Sequence, residues 1–174
     1  ERLINLDKLV DLSGFIIPDW HKSRGPVYAP FLSLYRDTKD TVEIHKKLKN
    51  AHPNMKVFRR GEFPGDYHFD HPDRAPDLMI LADNGWTLYA SENGASPISV
   101  ATVPWSIATH GYDNKHVDMH ATFIAAGPAF KNGVKADHFD NIEVYGVLAC
   151  ALGISPANTD GDIEAISSFM DKKC

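Results

Sequence analysis

One short segment of the sequence combines residue types suited to holding a metal ion. Residues 110–114 read His-Gly-Tyr-Asp-Asn. Gly111 permits a tight backbone path beside His110, and Asp113 can close a turn by accepting hydrogen bonds from nearby backbone amides. An imidazole held in a fixed direction in this way is a good zinc ligand. On spacing alone, however, a histidine followed by glycine in a loop is more often a plain surface residue.

Two other groups of histidines have simpler interpretations. His116 and His120 are four residues apart, which on a helix could chelate zinc, but the glutamate of the metalloprotease pattern is missing and the segment leads into a predicted strand. His68 and His71 flank Asp70, yet the proline and the charges around them predict a solvated loop. Neither group is predicted to bind metal.

Aromatic and acidic residues near the same segment also allow more than one role. Trp86 and Trp105 could stack on a base or cap a pocket, although packing in a core or loop is the more common use of tryptophan. Asp83 and Asp113 could form a carboxylate pair for acid and base chemistry, but the sequence gives no distance between them. We therefore expect both aspartates to stabilise turns.

The strands that must position these residues are indicated by short apolar runs. Residues 77–82 and 122–126 are continuous apolar runs, which are typical of strands buried on both faces. Shorter strands are predicted at residues 3–6, 14–17, 30–35, 55–58 and 85–89.

Two helices are predicted between these strands. The first covers residues 41–50, with Asp40 or Thr38 as its N-cap and with Val42, His45 and Leu48 on one face. The second covers residues 142–152, with Asp140 or Asn141 as its cap and Gly153 as its stop. Strands and helices therefore alternate, which favours an α/β sheet, and no domain boundary is evident.

Charge and composition narrow the classes of function. The net charge of −5 provides no basic field to attract polynucleotide phosphates, so binding to a nucleic acid duplex is not expected. Any phosphate chemistry would therefore depend on a metal ion. Cys150 lies in an apolar helical pattern, where it could be a buried thiol or, in an exported protein, a disulfide partner of Cys174.

Three separated blocks of the sequence resemble the nucleotide pyrophosphatase/phosphodiesterase family of the alkaline phosphatase superfamily. The central block contains residues 110–114, 118–119, 123–125 and 127–131. The upstream block contains Pro53, Val57, Phe58, residues 67–69, Arg74, Pro76, Gly85 and Trp86. The downstream block contains residues 140–145 and 150–154. The resemblance covers nearly the whole chain.

The resemblance implies a fold, a reaction and a cofactor. It implies an α/β chain that forms part of an alkaline-phosphatase-like sheet with flanking helices, and hydrolysis of phosphodiester or pyrophosphate bonds in nucleotides or related small substrates. Family members use two zinc ions and a threonine nucleophile, and His110 matches a histidine that completes the coordination of one zinc. An extracytoplasmic location, secreted or membrane-anchored, is implied as well.

The family's nucleophile and its other metal ligands lie upstream of the region that this chain resembles. Residues 1–174 are therefore expected to be a fragment, the C-terminal portion of a phosphodiesterase catalytic domain, with the upstream half of that domain as its partner. We expect the chain to be inactive alone and assign it no nucleophile. The alternatives are a non-catalytic binding module of the same fold and a lipid-directed enzyme that acts on choline phosphoesters.

Overall fold

In the computed structural model, which describes residues 2–3, 8–12, 27–35, 38–90 and 108–171, the chain forms two units. The first unit contains residues 1–120 and the second contains residues 121–174. The strand predicted at residues 14–17, the rest of the one at 3–6, and Trp105 lie outside the described residues.

The first unit contains the described strands. They are β1 (Arg2–Leu3), β2 (Leu9–Asp11), β3 (Val27–Ala29), β4 (Phe31–Leu34), β5 (Met55–Arg59), β6 (Leu78–Ala82), β7 (Thr87–Ala90) and β8 (Ala108–Thr109). β4, β6 and β5 form an antiparallel sheet with β6 in the centre. In a second sheet β7 pairs with β2 in parallel and with β3 in antiparallel fashion. β1 and β8 form a separate two-stranded antiparallel sheet.

The apolar run at the centre of the first sheet is buried as predicted. Every residue of β6 is buried, and strands pair with it on both edges. Leu78 and Ile80 point into the main core of the unit, whereas Met79 packs with Phe63 and Ala75 in a separate cluster. Because alternate residues of a strand face opposite sides of the sheet, β6 supports packing on both faces.

Helix α1 (Thr38–Leu48) covers the main core. It begins three residues earlier than predicted, so both predicted caps, Asp40 and Thr38, lie inside the helix. Ile44, His45 and Leu48 are buried, but Val42, which was predicted to lie on the same face, is exposed. The position four residues before His45 is instead filled by buried Thr41, as the helical period requires.

Buried His45 makes the stability of the first unit depend on pH. Only 7% of the residue is exposed, and its Nε2 has no hydrogen-bond partner among the described residues. Burial and the nearby positive charge of Arg59 lower the pKa of His45, while Glu62 acts in the opposite direction. The folded protein therefore holds a neutral imidazole where the unfolded chain takes up a proton near pH 6.5.

We expect the free energy of unfolding to fall as the pH drops below about 6.5, until the lowered pKa of folded His45 is passed. Urea denaturation at pH 7.5 and pH 5 measures this loss. The variant His45→Leu places an apolar side chain that cannot take up a proton at the same position, and it should lose less stability over that interval. Identical losses in the two proteins would show that another group is responsible.

The second unit is built around helix α2 (Val144–Leu152), which follows a short 3-10 helix, Asn141–Glu143. Gly153 ends α2 in the left-handed conformation, and its amide donates to the carbonyls of Ala149 and Cys150, as the predicted stop requires. Asp140 precedes the 3-10 helix, but its side chain makes no capping hydrogen bond. The end of the helix was therefore predicted correctly. The 3-10 turn at its start was not predicted.

The predicted buried strand at residues 122–126 is wrong. These residues form no strand and all are exposed, with Ile124 at 87%. The ring of Phe123 instead lies 5.1 Å from the ring of Phe139 and 5.7 Å from that of Phe169. Phe123 therefore joins an aromatic cluster, and the run makes no ladder of backbone hydrogen bonds.

The two units together contain strands, one long helix over a sheet and a second helix with its own small core, so the predicted α/β class is confirmed. Among the described residues, no helix has the length and apolar character that a membrane crossing requires.

Candidate functional site

His110 lies directly after strand β8. Thr109, its preceding neighbour, pairs with Arg2 of β1, so the backbone that leads into His110 is part of an antiparallel ladder. The His110 side chain is exposed. The backbone before His110 is therefore held in place, and the imidazole is accessible to a ligand.

Gly111 turns the chain away from His110 in a conformation that other residues rarely adopt. Its φ angle is +103°, and a Cβ atom built at this position would lie 3.0 Å from Cε1 of Phe31 and 3.3 Å from Cγ of Pro30. The glycine is therefore required both for the backbone angle and for the close approach of the chain to Phe31.

We expect Gly111→Ala to destabilise the first unit by about 1–3 kcal/mol, because strain in the backbone is added to a steric clash with Phe31. The matched control is Gly61→Ala, since Gly61 has a φ of +82° but a Cβ atom at that position would have no other atom within 4 Å. Urea denaturation of both variants separates the two causes. Equal losses would show that the contact with Phe31 contributes nothing.

Tyr112 anchors the chain after the glycine. The residue is buried in the main core, and its hydroxyl donates a hydrogen bond of 2.9 Å to the carbonyl oxygen of Trp86. Trp86 also packs against this core, and its ring lies 5.1 Å from that of His52. Trp86 therefore packs at the edge of the core, which is the simpler of the two roles considered from the sequence.

Asp113 and Asp83 both stabilise turns, as expected. The Asp113 carboxylate accepts a hydrogen bond from the Lys115 amide at 3.1 Å, and its carbonyl accepts one from the His116 amide at 3.1 Å. The Asp83 carbonyl accepts from the Trp86 amide at 2.8 Å, and its carboxylate accepts from Nδ2 of Asn54. Each aspartate therefore closes a turn, and the Asp83 carboxylate also joins its turn to the loop that contains Asn54.

A contact that the sequence did not reveal joins this turn to a distant loop. Tyr67 of that loop interacts electrostatically with the carboxylate of Asp113. Burial, followed by the negative charge of Asp113, raises the pKa of Tyr67, so its hydroxyl remains a donor at physiological pH. Next to it, the Asp66 carboxylate lies 2.7 Å from Nζ of Lys115.

The two other groups of histidines lie at turns. His116 and His120 flank a single 3-10 turn, Val117–Met119, and both have extended backbones, so they do not share a helical face. In the other loop, Nδ1 of His71 accepts from the Asp73 amide, and Asp70 accepts from the Gly61 amide at 3.0 Å. These side chains close turns, in agreement with the solvated loop predicted there.

Within the described ranges, no group of three or more His, Cys, Asp or Glu side chains is arranged to hold a metal ion. His110 is therefore a single exposed side chain able to bind a metal, and its backbone lies between a strand pair and a buried tyrosine. A zinc site needs three or four protein ligands, so these residues supply at most one part of such a site.

Sequence comparison relates the chain to known phosphodiesterases. A family model described as type I phosphodiesterase / nucleotide pyrophosphatase matches residues 1–113. The chain is 31% identical to human bis(5'-adenosyl)-triphosphatase ENPP4 over 174 residues, which is 100% of this chain and 33% of that protein. It is also 31% identical to ectonucleotide pyrophosphatase/phosphodiesterase family member 7 of Rattus norvegicus over 119 residues, or 68% of this chain and 25% of that protein.

Structure comparison gives the same fold. Human ectonucleotide pyrophosphatase / phosphodiesterase 5 superposes with a TM-score of 0.76 at 21% identity and covers 98% of this chain and 42% of its own. A murine form of that protein in complex with AMP superposes with a TM-score of 0.75 at 22% identity, covering 97% of this chain and 42% of its own. The likeness confirms the predicted alkaline-phosphatase-like α/β fold. The chain spans about a third of the length of the curated relatives that match it over its whole length.

Proposed function

Because the chain belongs to the type I phosphodiesterase / nucleotide pyrophosphatase family, we propose that residues 1–174 form the C-terminal portion of a catalytic domain that hydrolyses phosphodiester or pyrophosphate bonds. The observation that carries the proposal is the family match over residues 1–113, which includes His110 and the turn that fixes it. In the relatives the matching region is one part of a longer chain, so the reaction is assigned to the whole protein.

His110 is the residue that we assign to metal binding. Its exposed imidazole and fixed backbone suit a zinc ligand, but the described residues contain no complete set of ligands. In this proposal the other ligands of a site for two zinc ions, and the nucleophile, come from the upstream half of the same domain. We therefore assign His110 the role of one ligand and derive no reaction step from this chain alone.

Nucleotides and related small phosphodiesters are the substrate class that we propose. The human relative is named as a bis(5'-adenosyl)-triphosphatase, and a structural neighbour was solved with AMP. The net charge of −5 is compatible with a small substrate held at a metal centre, whereas a polynucleotide would require a basic surface.

An extracytoplasmic location is part of the proposal. Cys150 is disulfide-bonded. Such bonds form and persist in oxidising compartments and are rare in the cytosol of most organisms. The disulfide supports the export that the family resemblance implies.

The experiment that tests the proposal uses the protein expressed from its complete reading frame. Metal analysis should find about two zinc equivalents, and chelation should abolish hydrolysis of a nucleotide phosphodiester until zinc is restored. A choline phosphoester, assayed in parallel, should be a poorer substrate. Faster turnover of the choline ester would indicate a lipid-directed enzyme, and nucleotide binding without metal or turnover would indicate a non-catalytic module.

A further inference from the structure

The outer side of helix α2 consists of apolar side chains that are exposed. Tyr145, Leu148 and Leu152 follow one another at intervals of three and four residues, so they lie on one side of the helix. Leu148 is 57% exposed and Leu152 is 72% exposed, and Tyr145 is exposed as well. Ile154, which lies just beyond the end of the helix, is also exposed. These four side chains are called the α2 apolar face below.

The opposite side of α2 packs within the second unit. Val147 and Cys150 are buried, and they belong to the same core cluster as Ile166 and Phe169. The core of the unit is therefore formed by one side of the helix only. It does not explain why the residues of the other side are apolar.

The sequence of this region is unusual for a surface exposed to water. Residues 144–159 contain no charged side chain, although charged residues make up 24% of the whole sequence. A helix at the surface of a globular protein normally carries charged and polar residues on its outer side, whereas a helix that is apolar on all sides is buried. An exposed apolar patch of this kind marks an interaction site.

A membrane surface does not suit the α2 apolar face. Helices that lie in the interface of a membrane carry lysine and arginine residues on their polar side. Helix α2 reads Val-Tyr-Gly-Val-Leu-Ala-Cys-Ala-Leu and contains neither. The absence of charge instead suits an apolar protein surface, because no charged group would have to be removed from water on contact.

The relatives contain further polypeptide that could cover this face. The human triphosphatase matches the whole of this chain, α2 included, with 33% of its own length, and the solved human structure matches it with 42%. The greater part of each relative therefore lies outside the matched region. A segment of the same molecule meets the face at a much higher effective concentration than a second molecule does.

We propose that the α2 apolar face is the surface against which the upstream half of the catalytic domain packs, with apolar side chains of that half covering Leu148 and Leu152. The inference rests on the proposed function, in which residues 1–174 are the C-terminal portion of a larger domain. The contact is stabilised because it removes the apolar surface of the two leucines from water.

A photo-reactive phenylalanine analogue in place of Leu148 identifies the occupant in the protein expressed from its complete reading frame. After illumination, mass spectrometry of the digested protein should find a cross-link between α2 and a peptide that precedes residue 1. The control places the same analogue at Val134, which is exposed in the same unit but is followed by Lys135, and it should give no such link.

The other results of this experiment would overturn the proposal. A link between two molecules would show that a second copy covers the face. Links confined to residues 1–174 would show that this chain covers it, and no link from position 148 would show that it is open to water.

Hydrogen exchange provides a second, independent measurement on the same protein. Lysine forms helices about as readily as leucine, so Leu148→Lys adds a charge to the face and hardly changes helix propensity. Exchange at the amides of α2 should become roughly tenfold faster or more, because a covered site would have to hold a buried charge. Leu148→Met keeps the site apolar and should leave exchange unchanged. Equal exchange in Leu148→Lys and in the control Val134→Lys would reject the contact.

The outcomes separate this contact from the proposed function. A cross-link from α2 to the upstream peptide, in a protein that has neither zinc nor hydrolytic activity, would support the contact and reject the function. Zinc-dependent hydrolysis by a protein in which α2 is open to water would reject the contact and support the function.

Discussion

Replacing His110 by alanine should lower hydrolysis of a nucleotide phosphodiester by the whole protein about 1,000-fold. A catalytic metal contributes several kcal/mol to stabilising the transition state, and each 1.4 kcal/mol corresponds to a factor of ten in rate. Loss of one ligand removes or displaces the ion. Because the His110 side chain is exposed, the same change should alter the free energy of unfolding by no more than about 0.5 kcal/mol.

The control for this prediction is His116→Ala. His116 is also exposed and lies only six residues further along the chain, but its backbone belongs to the turn closed by Asp113. Zinc content and turnover of this variant should match those of the unchanged protein. Unchanged metal content and turnover in His110→Ala would remove the chemical basis of the proposed assignment.

The elements predicted best are those with a strong local signal. The apolar run of β6 required burial on both faces, and the central position of the strand provides it. Gly153 ends α2 because a left-handed residue satisfies the last carbonyls of a helix. In both cases the signal itself is local, a run of consecutive apolar residues or a single glycine, so the element could be predicted from the sequence.

The elements predicted poorly depend on partners far away in the chain. Residues 122–126 have the apolar composition of a buried strand, but composition does not specify a pairing partner, and Phe123 packs with Phe139 and Phe169 instead. The helical period of α1 does not decide which side of the helix faces the core. Val42 was predicted on the buried side but is exposed.

In the candidate site, too, local features could be predicted from the sequence and long-range contacts could not. His110 and the turn role of Asp113 followed from a short motif and from the resemblance to a family. The ion pair between Asp66 and Lys115 joins two loops that are distant in sequence. Only the folding of both loops against one sheet brings these two residues together, so no local pattern could have indicated it.

The disulfide of Cys150 should be the largest single contribution to the stability of the second unit. Cys150 is buried in α2, it is disulfide-bonded, and Cys174 is the one other cysteine in the sequence. A small unit has a limited apolar core, and removing a native disulfide from such a unit typically costs about 2–5 kcal/mol. We therefore expect Cys174→Ser to destabilise residues 121–171 by an amount in this range.

Comparison of two variants separates the disulfide from core packing. Cys150→Ser also places a polar group among Val147, Ile166 and Phe169, so it should cost more than Cys174→Ser. Hydrogen exchange measured on each unit should show the loss in the second unit and little change at β6 in the first. A free thiol in the oxidised protein, or full stability of Cys174→Ser, would contradict this prediction.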